Sequence, residues 1–78
     1  MKIPRLTPEE QAHLDQGGRV FIVEEITGPL WRVLAVKGEV CKVLLKPDGA
    51  EGYSDRSDAA LNARMIANLS EGSILVRE

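Results

Sequence analysis

Residues 19–46 read RVFIVEEITGPLWRVLAVKGEVCKVLLK and hold most of the large apolar side chains of the chain. Three runs within this stretch are rich in the β-branched and aromatic residues that strands prefer, namely 20–26, 30–36 and 40–45. Thr27-Gly28-Pro29 and Lys37-Gly38 interrupt the runs with residues that favour turns. A tight loop at Lys37-Gly38 joins neighbouring strands antiparallel. The stretch therefore predicts a three-stranded antiparallel meander.

The predicted meander is apolar on both faces. Successive side chains of a strand point to opposite sides, so Trp31 and Val33 lie on one face while Leu34 lies on the other. A two-residue loop at Lys37-Gly38 would place Leu34 opposite Cys41. Because a sheet with one wet face alternates apolar and polar residues cleanly, both faces of this one need cover.

Two helices flank the meander. Thr7-Pro8-Glu9-Glu10 has the composition of a helix start with a capping box, and this first helix is expected to end near Gln16. Its apolar face is little more than Ala12 and Leu14, which predicts that it cannot cover a whole sheet face. The meander is followed by a turn at 46–49 and, we expect, by a loop through 50–54.

The second helix is predicted over 58–69, capped by Asp55 or Ser57. Leu61, Met65 and Leu69 recur at a spacing of four residues, with Ile66 beside them, and we expect this side to pack on the sheet. The alanines of the same helix favour helical structure and allow close packing. Residues 73–77 predict a last strand.

The element order α-β-β-β-α-β predicts a small α+β fold, in which one main helix packs on the meander and on a C-terminal strand. We interpret residues 1–78 as a single domain with an N-terminal arm at 1–6. The alternative is a partly closed small β-barrel with helical additions.

Composition limits the function classes. A net charge of −2 argues against nucleic acid as the main partner, because phosphate contacts need a basic surface. A single cysteine fits a reducing compartment. No run has the length of a signal peptide or a membrane span, so we expect no membrane association and a cytoplasmic location.

Candidates for chemistry are few. His13 is the only histidine and is expected to be solvated on the first helix. Cys41 lies in mid-strand, where a buried and inert thiol is the usual state. The adjacent carboxylates at 24–25 point to opposite faces of a strand, and those at 55 and 58 are typical of a helix start. Neither pair is therefore expected to act as a catalytic acid and base. No residue spacing indicates a metal site, a cofactor or a nucleophile with its base, so we expect no enzymatic activity.

The main hypothesis is a non-enzymatic interaction or regulatory module that self-associates through an uncovered, apolar sheet face. Its partner would be a second copy or another protein, to which it could also add a strand. The interface is predicted to contain Trp31 as anchor, with Val33, Leu44 and Phe21 around it and Arg32 and Lys42 at the rim. The alternative is a domain that binds a small ligand or single-stranded nucleic acid on a surface made by Trp31, Tyr53 and Arg32.

Overall fold

The computed structural model describes residues 5–27, 30–46, 48–50, 52–70 and 72–78. Its elements in chain order are α1 (Pro8–Asp15), β1 (Arg19–Ile26), β2 (Leu30–Lys37), β3 (Val40–Leu44), α2 (Arg56–Leu69) and β4 (Ile74–Arg77). This α-β-β-β-α-β order confirms the predicted α+β fold. Most of the expected N-terminal arm, and the predicted turn residues Gly28, Pro29 and Pro47, lie outside the described residues.

The four strands form one mixed sheet in the order β3-β2-β1-β4. β1 pairs antiparallel with β2, β2 pairs antiparallel with β3, and β4 runs parallel to β1. The sheet is open, with β3 and β4 at its two edges, so the barrel alternative does not describe this fold. The connection through α2 crosses the sheet from one edge to the other.

The loop of the β2–β3 hairpin lies one residue later than the sequence suggested, which shifts each cross-strand partner by two residues. Lys37 pairs with Val40, which leaves Gly38 and Glu39 as the loop. Gly38 has φ 58°, as the first central residue of a type II′ hairpin loop requires. The expected pairing of Leu34 with Cys41 is therefore wrong. Because the shift is an even number of residues, every side chain keeps its predicted face.

The start of α1 forms the predicted capping box. The Glu10 amide donates to Thr7 Oγ1 at 3.2 Å, and the Thr7 amide donates to Glu10 Oε1 at 2.8 Å. The Glu10 side chain is buried, and Arg77 Nε on β4 lies 2.8 Å from its Oε2 as an ion pair. His13 Nε2 lies 3.0 Å from the Ser73 carbonyl, to which it can donate. Polar contacts thus attach α1 to β4 and to Ser73, the residue that precedes β4.

The α1 side of the sheet carries one apolar core cluster. Its buried residues are Leu14, Val20, Ile22, Leu34, Val36 and Cys41, with Leu6, Val43 and Leu75 packed against them. α1 itself contributes one large apolar side chain, Leu14, to this cluster. Leu6, which precedes the helix, adds a second large apolar side chain beside Leu14, and the contact of Glu10 with Arg77 extends the cover to β4.

The opposite face is covered by α2, which packs on it through alanines. Ala59, Ala60 and Ala63 are buried in one cluster with Phe21 and Val33. Asp55 caps the helix by accepting from the Ser57 amide at 3.0 Å. The predicted inward stripe is wrong, since Leu61, Met65 and Leu69 are 57%, 53% and 85% exposed. The small alanine side chains let the helix approach the sheet closely. With the alanine side facing the sheet, the side that carries Leu61, Met65 and Leu69 faces outward.

Candidate functional site

Two of the predicted interface residues lie in the core. Phe21 and Val33 are only 3% and 0% exposed, because α2 covers the face that was expected to be open. They are therefore inaccessible to a partner in the folded chain, and their assignment to an interface is corrected. Trp31 and Leu44 are half-buried against the same cluster, and Lys42 is exposed.

Trp31 and Tyr53 are adjacent, as the ligand-binding hypothesis requires. The Trp31 amide donates to the Tyr53 carbonyl at 2.7 Å, and the Tyr53 amide donates to the Trp31 carbonyl at 2.6 Å. Tyr53 was expected in a loop, but this isolated bridge places it beside β2 beyond the end of β3. The Tyr53 side chain is buried, and burial, with a smaller effect of Asp48, raises the pKa of its phenol.

Cations of the same chain already contact both rings. The Arg56 guanidinium lies 5.7 Å from the centre of the Trp31 ring, and Lys46 Nζ lies 5.5 Å from that of Tyr53. Arg32 is on the other face of the sheet, where its Nε donates to Glu24 Oε1 at 2.6 Å. The structure thus joins Trp31 with Tyr53 but not with Arg32, and it offers little ring surface for stacking bases.

His13 and Cys41 have structural surroundings. His13 is half-buried rather than solvated, and its ring lies so close to Gly18 that a Cβ there would come within 2.4 Å of it. Cys41 is buried in the core beneath α1, and burial is the main cause that raises the pKa of its thiol. Among the described residues, no group of three or more His, Cys, Asp or Glu side chains could hold a metal ion.

The outer face of α2 carries an exposed apolar row, which we call the outer stripe: Leu61, Met65 and Leu69. Its members are one helical turn apart and lie along one i, i+4 ridge. On the helix surface the stripe is flanked by exposed Asp58 and by Arg64, which forms an ion pair with Glu78. The spacing of the stripe can be recognised in the sequence, but the prediction that it faces the sheet is wrong.

A second apolar feature lies where α2 leaves part of the sheet uncovered, near the β2–β3 turn. This corner groove has a volume of about 370 Å³. Four of its lining residues form an apolar floor: Phe21, Ala35, Leu44 and Ile66. Of the predicted interface set, Leu44 and Lys42 therefore line an accessible surface, and the almost fully buried Phe21 lies at its base.

Three cations line the same groove. Arg19 and Lys37 are partners across β1 and β2, and Lys42 is the partner of Ala35 across β2 and β3. Within the described ranges, none of the three forms an ion pair and no carboxylate lines the groove. Because charged strand residues are common as solvated edge groups, sequence alone could not reveal that these three converge on one apolar hollow.

Neither α1 nor α2 has the length and hydropathy that crossing a bilayer requires. Comparison with known proteins finds no match: no family model matches the sequence, and no significant similarity to a curated protein or a solved structure is found. The outer stripe and the corner groove are the two surfaces of the described residues on which a partner or ligand could bind.

Proposed function

We propose that this chain is a non-enzymatic interaction module that pairs with a second copy of itself through the outer stripe of α2. The observation that carries the proposal is the exposure of Leu61, Met65 and Leu69 in a domain whose sheet carries a buried core on each face. Three large apolar side chains aligned on one helix ridge make a continuous patch rather than scattered exposed residues.

The stripe is suited to a twofold contact. Leu61 and Leu69 are equidistant in sequence from Met65, so an antiparallel pair of helices with Met65 at the axis would bring each leucine near the other leucine of the partner copy. Ridges of the i, i+4 type pack into one another in the commonest class of helix contact. Such a pairing matches apolar side chains to apolar side chains along its whole length.

The expected affinity is modest. Fully burying an exposed leucine or methionine gains about 1.5–3 kcal/mol. Leu61 and Met65 would gain less on association, because they are already about half-covered in the single chain. Association itself costs about 4–15 kcal/mol. The gain from six side chains of two copies is thus of the same order as the cost of association, so we expect a dimer no tighter than roughly micromolar. The module would be monomeric when dilute and paired when concentrated.

Sedimentation equilibrium over a wide concentration range tests the proposal. Wild type should show a monomer–dimer equilibrium, and Leu61→Lys should abolish it because the lysines would meet an apolar surface. Leu45→Lys is the matched control, since Leu45 is 55% exposed against 57% for Leu61 but lies after β3, away from α2. A wild type that stays monomeric at the highest concentration would refute self-association.

A charge swap tests the antiparallel arrangement itself. Leu61→Lys and Leu69→Glu should each weaken the dimer, and the double variant should regain part of it, because each lysine would then face a glutamate of the partner copy. A parallel pair would bring lysine to lysine and would not recover. If the double variant does not regain dimerisation while wild type is still dimeric, the antiparallel geometry is rejected.

A further inference from the structure

The structure assigns to the corner groove a second role that is independent of the outer stripe: binding of a small amphipathic anion, a molecule with one apolar chain and an anionic head group. The apolar floor and the three cations around it, none of which forms an ion pair with a described residue, are separate features of the same hollow, and each specifies one part of the ligand.

The floor determines the apolar part. Phe21 is almost fully buried at the base, while Ala35, Leu44 and Ile66 are half-buried and present apolar surface to the groove. The volume of about 370 Å³ is near the lower end of the roughly 300–1,000 Å³ typical of small-ligand sites. A single short alkyl chain fits this space, whereas a large ring system or a folded partner does not.

The cations determine the head group. Arg19, Lys37 and Lys42 are at neighbouring sheet positions on the α2 side, so their charges lie close to one another. The chain as a whole carries a net charge of −2, and yet the described lining of this hollow carries only positive charge. An anion placed among the three would reduce their mutual repulsion and gain charge-assisted hydrogen bonds.

Titration with octanoate, followed by amide chemical shifts, tests the assignment. Octanoate should bind saturably and shift the amides of the groove, in particular those of residues 35–44. Two comparators separate its parts: octylammonium keeps the chain and reverses the charge, and acetate keeps the carboxylate without the chain. Both should bind at least about fivefold more weakly, and octanoate binding should weaken as salt is added.

Variants then separate charge from shape. Lys37→Gln with Lys42→Gln removes two exposed cations and should weaken octanoate roughly three- to tenfold, as exposed ion pairs do. Arg64→Gln is the matched control, because it removes a cation from the outer face of α2, away from the groove. Ala35→Leu should fill the floor and remove binding without lowering the unfolding midpoint, so that loss of binding is not confused with loss of the fold.

Several results would overturn the assignment. Equal binding of octylammonium would mean that the cations do not select the ligand, and equal binding of acetate would mean that the floor does not. If octanoate does not bind saturably, or if the amide chemical-shift changes are confined to residues 61–69, octanoate does not bind in the groove. None of these results bears on the monomer–dimer equilibrium, so the proposed self-association stands or falls separately.

Discussion

The two faces of the sheet are covered by opposite means. On one face the short helix α1 contributes a single buried leucine, Leu14, and the sheet's own Leu34 and its neighbours fill the remaining space. On the other face the buried residues that the longer helix α2 contributes are all alanines, with Ile66 partly buried beside them. The comparison shows that cover depends on the fit between inward side chains and the sheet rather than on the length of the helix. It also explains why the longer helix is the one with unused apolar side chains.

The largest expected effect comes from removing bulk on the α1 side. Leu34 is 1% exposed, and Leu34→Ala should lower the free energy of unfolding by about 2–5 kcal/mol, because it leaves a cavity under a helix that has few side chains to fill it. Urea unfolding followed by circular dichroism measures the change. Leu45→Ala, at an exposed position, should stay within about 0.5 kcal/mol of wild type. Similar losses in both variants would contradict the description of this face as a close-packed core.

The opposite change probes the α2 side. Ala63 is fully buried between helix and sheet, so Ala63→Leu should overpack the contact and cost about 1–3 kcal/mol in the same unfolding assay. Ala12→Leu, on the exposed side of α1, should have little effect. If Ala63→Leu were neutral, α2 could move outward freely, and the close approach through small residues would not be what positions it.

Much of this fold could be predicted from the sequence because its local signals agree with one another. Thr7 and Glu10 mark the start of α1, and the three runs of β-branched residues mark the meander. The capping Asp55 was one of two predicted caps for α2. These features depend on neighbouring residues, so they can be read without knowing the tertiary structure.

The candidate surfaces could not be predicted in the same way. The i, i+4 spacing of Leu61, Met65 and Leu69 indicates an apolar helix side, but periodicity does not say whether that side or the alanine side meets the sheet. The choice depends on the distance between helix and sheet, which small residues shorten. The convergence of Lys37 and Lys42 on one groove likewise depends on which corner of the sheet α2 leaves open.

The smallest expected effect concerns alkaline stability and residue Tyr53 on the α2 side. The pKa of its phenol is raised in the folded state, so above the ordinary tyrosine pKa of about 10 the unfolded chain loses this proton first. The contribution of Tyr53 to stability is therefore complete below about pH 10 and is lost as the pH rises toward the raised pKa.

Tyr53→Phe removes this titration. Above about pH 10 the variant should lose less stability than wild type as the pH rises, in urea unfolding measured at several pH values. Cys41, whose pKa is also raised by burial on the α1 side, is present in both proteins, so its contribution cancels. Parallel stability curves for the two proteins would show that Tyr53 titrates alike in the folded and unfolded chains.

The attachment of α1 to β4 has a consequence for synthesis on the ribosome. A nascent chain can form the β1–β3 meander before residues 74–77 emerge, but the partners of Glu10 and His13 are at Arg77 and Ser73. The earliest helix to be made must therefore wait for the latest strand before its own polar contacts close. Until then the apolar side of the meander that α1 contacts lacks part of its cover, so the growing polypeptide is exposed to aggregation in this interval.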